Sequence, residues 1–269
     1  MPNGIIVIDK PQDWTASEHA LLERPFAKAK GLIQACGSSF SRRTRFAGLR
    51  REKGGPAMPN GIIVIDKPQD WTSMDVCAKL RGLFHEKRIG HAGTLDPMAT
   101  GVLPVFCGGA TRAVEFASEG DKEYLAGLRL GTVTDTQDTS GRVLEEHPVS
   151  VTGEELEAAL APFRGEIQQL PPMYSAIKVN GKKLYELARK GREVERKPRA
   201  ITIHSLEVEG QESATDFLIR VRCSKGTYVR TLCHDIGQAL GCGGTMYSLR
   251  RTMAAGFTLE DALPLEQVL

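Results

Sequence analysis

This chain predicts an α+β fold built on a largely antiparallel mixed sheet flanked by helices, on three observations. Segments of strand period and of helix period are interleaved without regular βαβ alternation. The two longest strand signals, Ile201 to Glu209 and Phe217 to Cys223, are close enough in sequence to pair antiparallel. The helical segments carry their own start and stop residues. With 269 residues, 41% of them apolar and 25% charged, the chain can bury a sizeable core, as one large domain or two small ones.

In chain order, Ile62-Ile63-Val64-Ile65 is a strand. Thr72-Ser73-Met74-Asp75 has the form of a capping box, and Val76, Leu80, Leu83 and Phe84 follow at helical spacing, which predicts a helix packed on the sheet. Thr152, with Glu155 three residues on, predicts a second helix that carries Leu156, Leu160 and Phe163 on one face and stops at Gly165. Asn180-Gly181, between Ala176 to Val179 and Lys182 to Tyr185, signals a hairpin, because both central turn positions want positive φ. In the later strand pair, Phe217, Ile219, Val221 and Cys223 alternate with Leu218, Arg220 and Arg222. Thr231 to Leu240 reads as a helix with Leu232, Ile236 and Leu240 inward and Gly241 as its terminator.

Residues 1–15, MPNGIIVIDKPQDWT, recur letter for letter at 58–72. Diverged repeats of one fold do not normally preserve such identity, so this is a duplicated start. Only one copy can take a given strand position, and the second is joined directly to the following helix, so the second is expected to dock. Between the copies, residues 16–57 carry nine Lys or Arg against three Asp or Glu, a composition that suits a flexible basic segment. The organisation expected is an accessory 1–57 followed by a catalytic domain at 58–269.

With that basic stretch set aside, residues 58–269 are mildly acidic, although the whole chain is +2. Bulk charge therefore does not announce a nucleic-acid binder, and any RNA contact must come from local clusters. Candidates are Lys178, Lys182, Lys183, Arg189, Lys190, Arg192, Arg196 and Lys197. The six cysteines and six histidines show no ligand spacing, so no metal is expected and the cysteines read as reduced structural thiols. No apolar run approaches a membrane span and the start lacks a signal-peptide core, which makes the cytoplasm the expected location.

The stretch from Gly90 to Gly101, GHAGTLDPMATG, holds a single carboxylate, Asp96. Glycines at 90, 93 and 101 open backbone conformations closed to other residues, and Pro97 biases Asp96 away from the helical region. That composition suits an active-site loop, and equally an Asp-Pro that starts a turn.

The string GHAGTLDPMATGVLPV with GGATR at 108–112 resembles the TruB family of pseudouridine synthases, which in bacteria act on uridine 55 of tRNA. Further matches follow in the same order: Lys122-Glu123-Tyr124, QLPPMYSAIKVNGKKLYELARKG at 169–191, CSKGTYVRTLCHDIG at 223–237, and Leu249-Arg250-Arg251. The resemblance runs from about Met58 to the end of the chain. It implies the pseudouridine synthase fold, a cofactor-free isomerisation of uridine in the tRNA T arm, and Asp96 as the carboxylate that initiates it. Asp96 would add to the uracil ring, attack the anomeric carbon or act as a base, three routes that stay open. Arg230 would pair with Asp96 and keep it ionised. Tyr124 would stack on the everted uracil and assist proton transfer.

By the same resemblance, His91 contacts substrate, Leu249 walls the pocket, and Lys67, in a Lys-Pro motif, organises the site or meets phosphate. Tyr228 lies two residues before Arg230 and would face the same side if that stretch is a strand. Asp70 stands where the family frequently has glycine, which puts the local turn in question. Relatives usually continue into a small C-terminal RNA-binding domain, for which this sequence leaves no room. The expected partner is tRNA, bound by a monomer with no membrane and no obligatory protein partner. Competing readings are an RNA-binding or tRNA-folding module, a glycoside hydrolase with paired carboxylates, and a guide-RNA-dependent relative acting on ribosomal RNA.

Overall fold

The computed structural model describes residues 5–7, 61–179 and 181–269; the basic stretch 16–57 and Asn180 lie outside the described residues. The chain divides into two compact units, one from Met1–Gly120 and Met253–Leu269, the other from Asp121–Thr252.

The first unit is organised around the second copy of the repeated segment. β1 (Ile5–Val7), from the first copy, runs antiparallel along β2 (Gly61–Lys67), from the second. Ile5 lies opposite Ile63, Ile6 opposite Ile62 and Val7 opposite Gly61. Since Ile5 and Ile6 are the copies of Ile62 and Ile63, the two isoleucine positions pair reciprocally, as in a two-fold arrangement. Next comes α1 (Ser73–Phe84), then β3 (Ile89–His91) and β4 (Thr100–Cys107), with β4 antiparallel to both β2 and β3.

The run Ile62-Ile63-Val64-Ile65 is apolar throughout because both faces of β2 are covered. Ile63 and Ile65 cluster with Val76, Cys77 and Leu80 of α1, while Ile62 and Val64 cluster with Val102, Phe106 and Phe257. The capping box forms as its residues predict: the Asp75 amide donates to Thr72 Oγ1 at 3.0 Å, and the Thr72 amide donates to Asp75 Oδ2 at 2.9 Å. Leu83, expected on the buried face of α1, is 39% exposed, and Phe84 packs against the core instead. Adjacent helical residues point about 100° apart, so the last turn presents only one of the two to the core. A short helix, α2 (Val114–Glu119), completes this stretch of the chain.

The second unit runs β5 (Lys122–Leu130), β6 (Thr132–Thr134), β7 (Val143–Glu146), α3 (Gly153–Leu160), β8 (Gly165–Gln169), β9 (Lys178–Val179) and β10 (Lys182–Lys183). It continues through α4 (Leu184–Ala188), β11 (Arg199–Gln211), β12 (Asp216–Cys223), α5 (Val229–Ala239) and β13 (Gly244–Ala254), whose end belongs to the first unit. Its strands are ordered β13-β5-β12-β11-β8, with β5–β12, β12–β11 and β11–β8 antiparallel. Phe217, Ile219, Val221 and Cys223 are buried and their alternates are not, as the period-two pattern requires.

Three sequence expectations are revised here. Gly165 does not simply stop α3; a 3-10 turn carries the chain on to Phe163, and Gly165, at φ 86°, opens β8. The second arm of the 178–183 hairpin is only Lys182–Lys183, because the chain turns helical at the buried Leu184, which puts Tyr185 in α4. Tyr228 and Arg230 do not share a strand face: Tyr228 is the N-cap of α5 and Arg230 lies in its first turn.

Gly237 of α5 meets the start of β13 backbone to backbone. A β-carbon at Gly237 would lie 2.1 Å from the Gly244 amide nitrogen, so only glycine permits this approach. The chain closes in the first unit with β14 (Phe257–Thr258), β15 (Leu263–Pro264) and α6 (Leu265–Val268). β15 runs parallel to β2, which makes the sheet mixed. The α+β class and the mixed, mainly antiparallel pairing are those the sequence predicts.

Candidate active site

Asp96 occupies the loop between β3 and β4, half-buried and bracketed on both sides. Before it, the buried Ser73 in the first turn of α1 accepts from the Leu95 amide at 2.9 Å and donates to the Leu95 carbonyl at 3.2 Å. After it, the Pro97 carbonyl accepts from the Asp70 amide at 2.8 Å and from Lys67 Nζ at 3.2 Å. The Ala99 amide donates back to the Asp96 carbonyl at 3.0 Å. Gly93 and Gly101 take positive φ, whereas Gly90 is an ordinary residue of β3.

Lys67 is fully buried, and its ammonium also donates to the carbonyls of Pro68 at 2.8 Å and Trp71 at 2.6 Å. Three carbonyls match the three ammonium protons. Asp70 keeps the turn that its replacement of glycine put in question, by adopting φ 65° itself. His91 ends β3, half-buried and opposite Val105.

In the second unit, Arg230 is 8% exposed. Its Nη1 donates to Asp138 Oδ2 at 3.2 Å and to the Thr136 carbonyl at 3.4 Å, and its Nη2 donates to the Tyr174 carbonyl at 2.9 Å. Asp138, 4% exposed, also accepts from the Ser140 amide at 3.0 Å and from the Thr136 hydroxyl at 2.8 Å. The backbone of Tyr228 is clasped by Gln169, whose Oε1 accepts from its amide at 2.9 Å and whose Nε2 donates to its carbonyl at 3.1 Å. Both hydrogen-bonding groups of this N-cap residue are thereby satisfied at the buried start of a helix.

Tyr124, on β5, lies opposite Val221 and is buried on the same sheet face as Ala126 and Leu128. Leu249 is buried on β13, with the fully buried Arg251 two residues on and so on the same face. Further along α5, burial pushes the Cys233 thiol up to about 12 and raises the Asp235 carboxyl above its ordinary range. Among the described residues, no group of three or more His, Cys, Asp or Glu is placed to hold a metal ion.

Lys67, His91 and Asp96 thus stand in the first unit, where Lys67 braces the Asp96 loop. Tyr124, Tyr228, Arg230 and Leu249 stand in the second, where α5 brings Tyr228 and Arg230 together at its start. Sequence reasoning missed Asp138 and Gln169. The signal for Asp138 was its turn, DTQDTSG, in which a buried acid needs a basic partner. Gln169 gave no signal of its own beyond opening the QLPPMYSAIK run.

An α+β chain with a braced aspartate in the GHAGTLDPMATG loop has the features of a pseudouridine synthase. Residues 81–229 match the TruB family pseudouridylate synthase N-terminal domain, and residues 230–269 match the tRNA pseudouridylate synthase B C-terminal domain. The chain belongs to the TruB family of pseudouridylate synthases. It is 53% identical over 207 residues to tRNA pseudouridine synthase B of Azoarcus sp. (strain BH72), covering 77% of this chain and 69% of that protein. To the protein of the same name from Heliobacterium modesticaldum it is 51% identical over 216 residues, covering 79% and 71%.

Among solved structures it resembles a chain of a Cbf5-Nop10-Gar1 complex, with a TM-score of 0.57 and 34% identity over 72% of this chain and 48% of that one. It also resembles a chain of an H/ACA RNP bound to a substrate RNA containing 2'-deoxyuridine, with a TM-score of 0.58 and 30% identity over 76% and 51%. The chain spans about half the length of these solved chains.

Proposed function

We propose that this chain converts uridine 55 in the T arm of tRNA to pseudouridine, with Asp96 as the initiating carboxylate, Arg230 orienting it and Tyr124 stacking on the everted base. The reaction breaks the bond from N1 of uracil to the ribose, joins C5 to the same carbon, and moves one proton from C5 to N1. Atoms and charge balance with no cofactor. The observation that carries the reading is the bracing of the Asp96 loop in a chain of this family: residues on both sides of the only acid in the loop are pinned by Ser73, Lys67 and the Asp70 amide. A nucleophile or base held in this way loses little freedom in the transition state.

Everting a stacked base costs a few kcal/mol, offset by aromatic stacking and polar contacts in the pocket. By the family resemblance Tyr124 supplies the ring, Leu249 an apolar wall, and His91 and Tyr228 substrate contacts, while Lys67 shapes the Asp96 loop. The exposed Lys178, Lys182, Arg189, Lys190, Arg192 and Lys197 offer phosphate contacts along the segment after β8. We take 58–269 as the catalytic part, 1–57 as accessory, and the enzyme as a cytoplasmic monomer that needs no protein partner. The relatives at about half identity are named as tRNA enzymes, which favours this reading over a guide-RNA-dependent one.

Incubation with an unmodified tRNA transcript, followed by carbodiimide adduct mapping, tests the proposal. The chain should modify uridine 55, and Asp96→Asn should abolish product while RNA binding persists. Turnover retained by Asp96→Asn, or binding without product by the parent chain, would overturn it.

A further inference from the structure

Gln137, in the turn between β6 and β7, holds φ at 64°, a left-handed conformation that side chains rarely adopt and glycine takes freely. Such strain persists where surrounding contacts over-determine it, and it collects at functional sites. Three contacts hold Gln137. Its amide donates to the Thr134 carbonyl at 3.3 Å, its carbonyl accepts from the Met246 amide at 3.1 Å, and its side-chain Oε1 accepts from Thr231 Oγ1 at 2.7 Å.

Thr231 is 2% exposed and directly follows Arg230 on α5, just as Asp138 directly follows Gln137 in the turn. Two contacts therefore run side by side, 137 to 231 and 138 to 230. Consecutive residues of a helix point about 100° apart, so the two contacts grip α5 from different directions. The Asp138–Arg230 pair and the contact from Arg230 to the Thr136 carbonyl both end on one long side chain. The Gln137–Thr231 contact ties the same turn to a second, adjacent residue of α5.

We propose that Gln137 is a positioning residue for Arg230, its amide oxygen tethered to Thr231 so that the Asp138 carboxylate meets the guanidinium at one height and rotation. This rests on the reading of Arg230 as part of the pseudouridine synthase site. Glycine at 137 would relax the backbone but could not reach Thr231, so stability and catalysis should part company there.

Gln137→Gly and Thr231→Val, made singly and together in the full chain, test it with unmodified tRNA transcript. Gln137→Gly should hold the denaturation midpoint near that of the parent, relief of the backbone offsetting the lost hydrogen bond, while kcat falls about tenfold to a hundredfold, with KM within about twofold. Thr231→Val should lower kcat by a similar factor, and the double variant should be no slower than either single one. The nitrogen resonances of the Arg230 guanidinium should shift or broaden in Gln137→Gly. Unchanged kcat, losses that multiply in the double variant, or a kcat loss that only follows a lost midpoint would overturn the proposal. A parent chain that makes no pseudouridine would strike the underlying reading instead, and the guanidinium resonances would still decide whether Gln137 positions Arg230: unchanged resonances would overturn the proposal on their own.

Discussion

The loop carrying Asp96 and the turn carrying Asp138 each hold an acid between pinned neighbours, by opposite means. At Asp96 the braces are a serine, a lysine and a backbone amide acting on neutral carbonyls and amides, with Ser73 reaching 22 positions and Lys67 reaching 30. At Asp138 the brace is a buried ion pair 92 positions apart, seconded by Gln137 and Thr231 at 94 and by Tyr174 and Arg230 at 56. The first acid stays half-buried on a loop stiffened from beneath, whereas the second is sunk against its partner. The two acids thus differ in burial, and in whether the braces named here act on the neighbouring backbone or on the carboxylate itself.

The sharpest way to break the comparison is Asp138→Asn. It keeps the shape but takes this counter-charge from a buried guanidinium, at a cost of roughly 3–5 kcal/mol in urea denaturation. A loss below about 1 kcal/mol would show that the ion pair is not what holds this turn.

Gly237→Ala comes next, because the added methyl group meets the Gly243–Gly244 backbone rather than a side chain that can move. It should cost about 3 kcal/mol, the upper end for overpacking, and should loosen α5 where it carries Arg230. Gly153→Ala, with no atom within 4 Å of the new β-carbon, is the control and should leave the midpoint unchanged or slightly raised.

Lys67→Met sharpens the other side. It takes the buried donor from the carbonyls of Pro68, Trp71 and Pro97, the last of which keeps the Asp70 amide, at a cost of about 2 kcal/mol. The Asp70 amide, which donates to the Pro97 carbonyl, should lose hydrogen-exchange protection.

The smallest effect is expected at a surface pair away from both sites. Arg129 holds the Asp216 carboxyl below its usual range through two hydrogen bonds of 2.8 Å. A carboxyl lowered in the folded state contributes stability above its unfolded value and loses it as pH falls through the folded one. Asp216→Asn should therefore cost less than about 1 kcal/mol at pH 7, since the arginine is 41% exposed. The gap should close as pH falls below about 4. A gap that widened on acidification would reverse the assignment.

The braced loop of Asp96 was legible because its parts are close in sequence and chemically distinctive. A glycine-rich loop with one acid, a Lys-Pro motif and a capping box all sit within 67–101. Arg230 was singled out only by resemblance. Nothing in the letters DTQDTSG says which arginine they will meet, and nothing about Gln169 says that it will clasp the backbone of residue 228. The strand reading around Tyr228 failed for a related reason, since a start without Ser, Thr, Asp or Asn gives no N-cap signal and the cap came instead from a distant glutamine.

From its letters alone this chain determined its α+β class, the starts of α1 and α3, the buried face of β12, the family, and the acid in the loop. Those follow from periodicity, capping and short-range turn chemistry, which act over a few residues. Only the tertiary structure decided that Lys67 is a buried brace, that Asp138 and Gln137 grip α5 from two directions, and that Gly237 must be glycine. Those depend on which surfaces meet after residues tens of positions apart are brought together, and no local rule encodes that meeting.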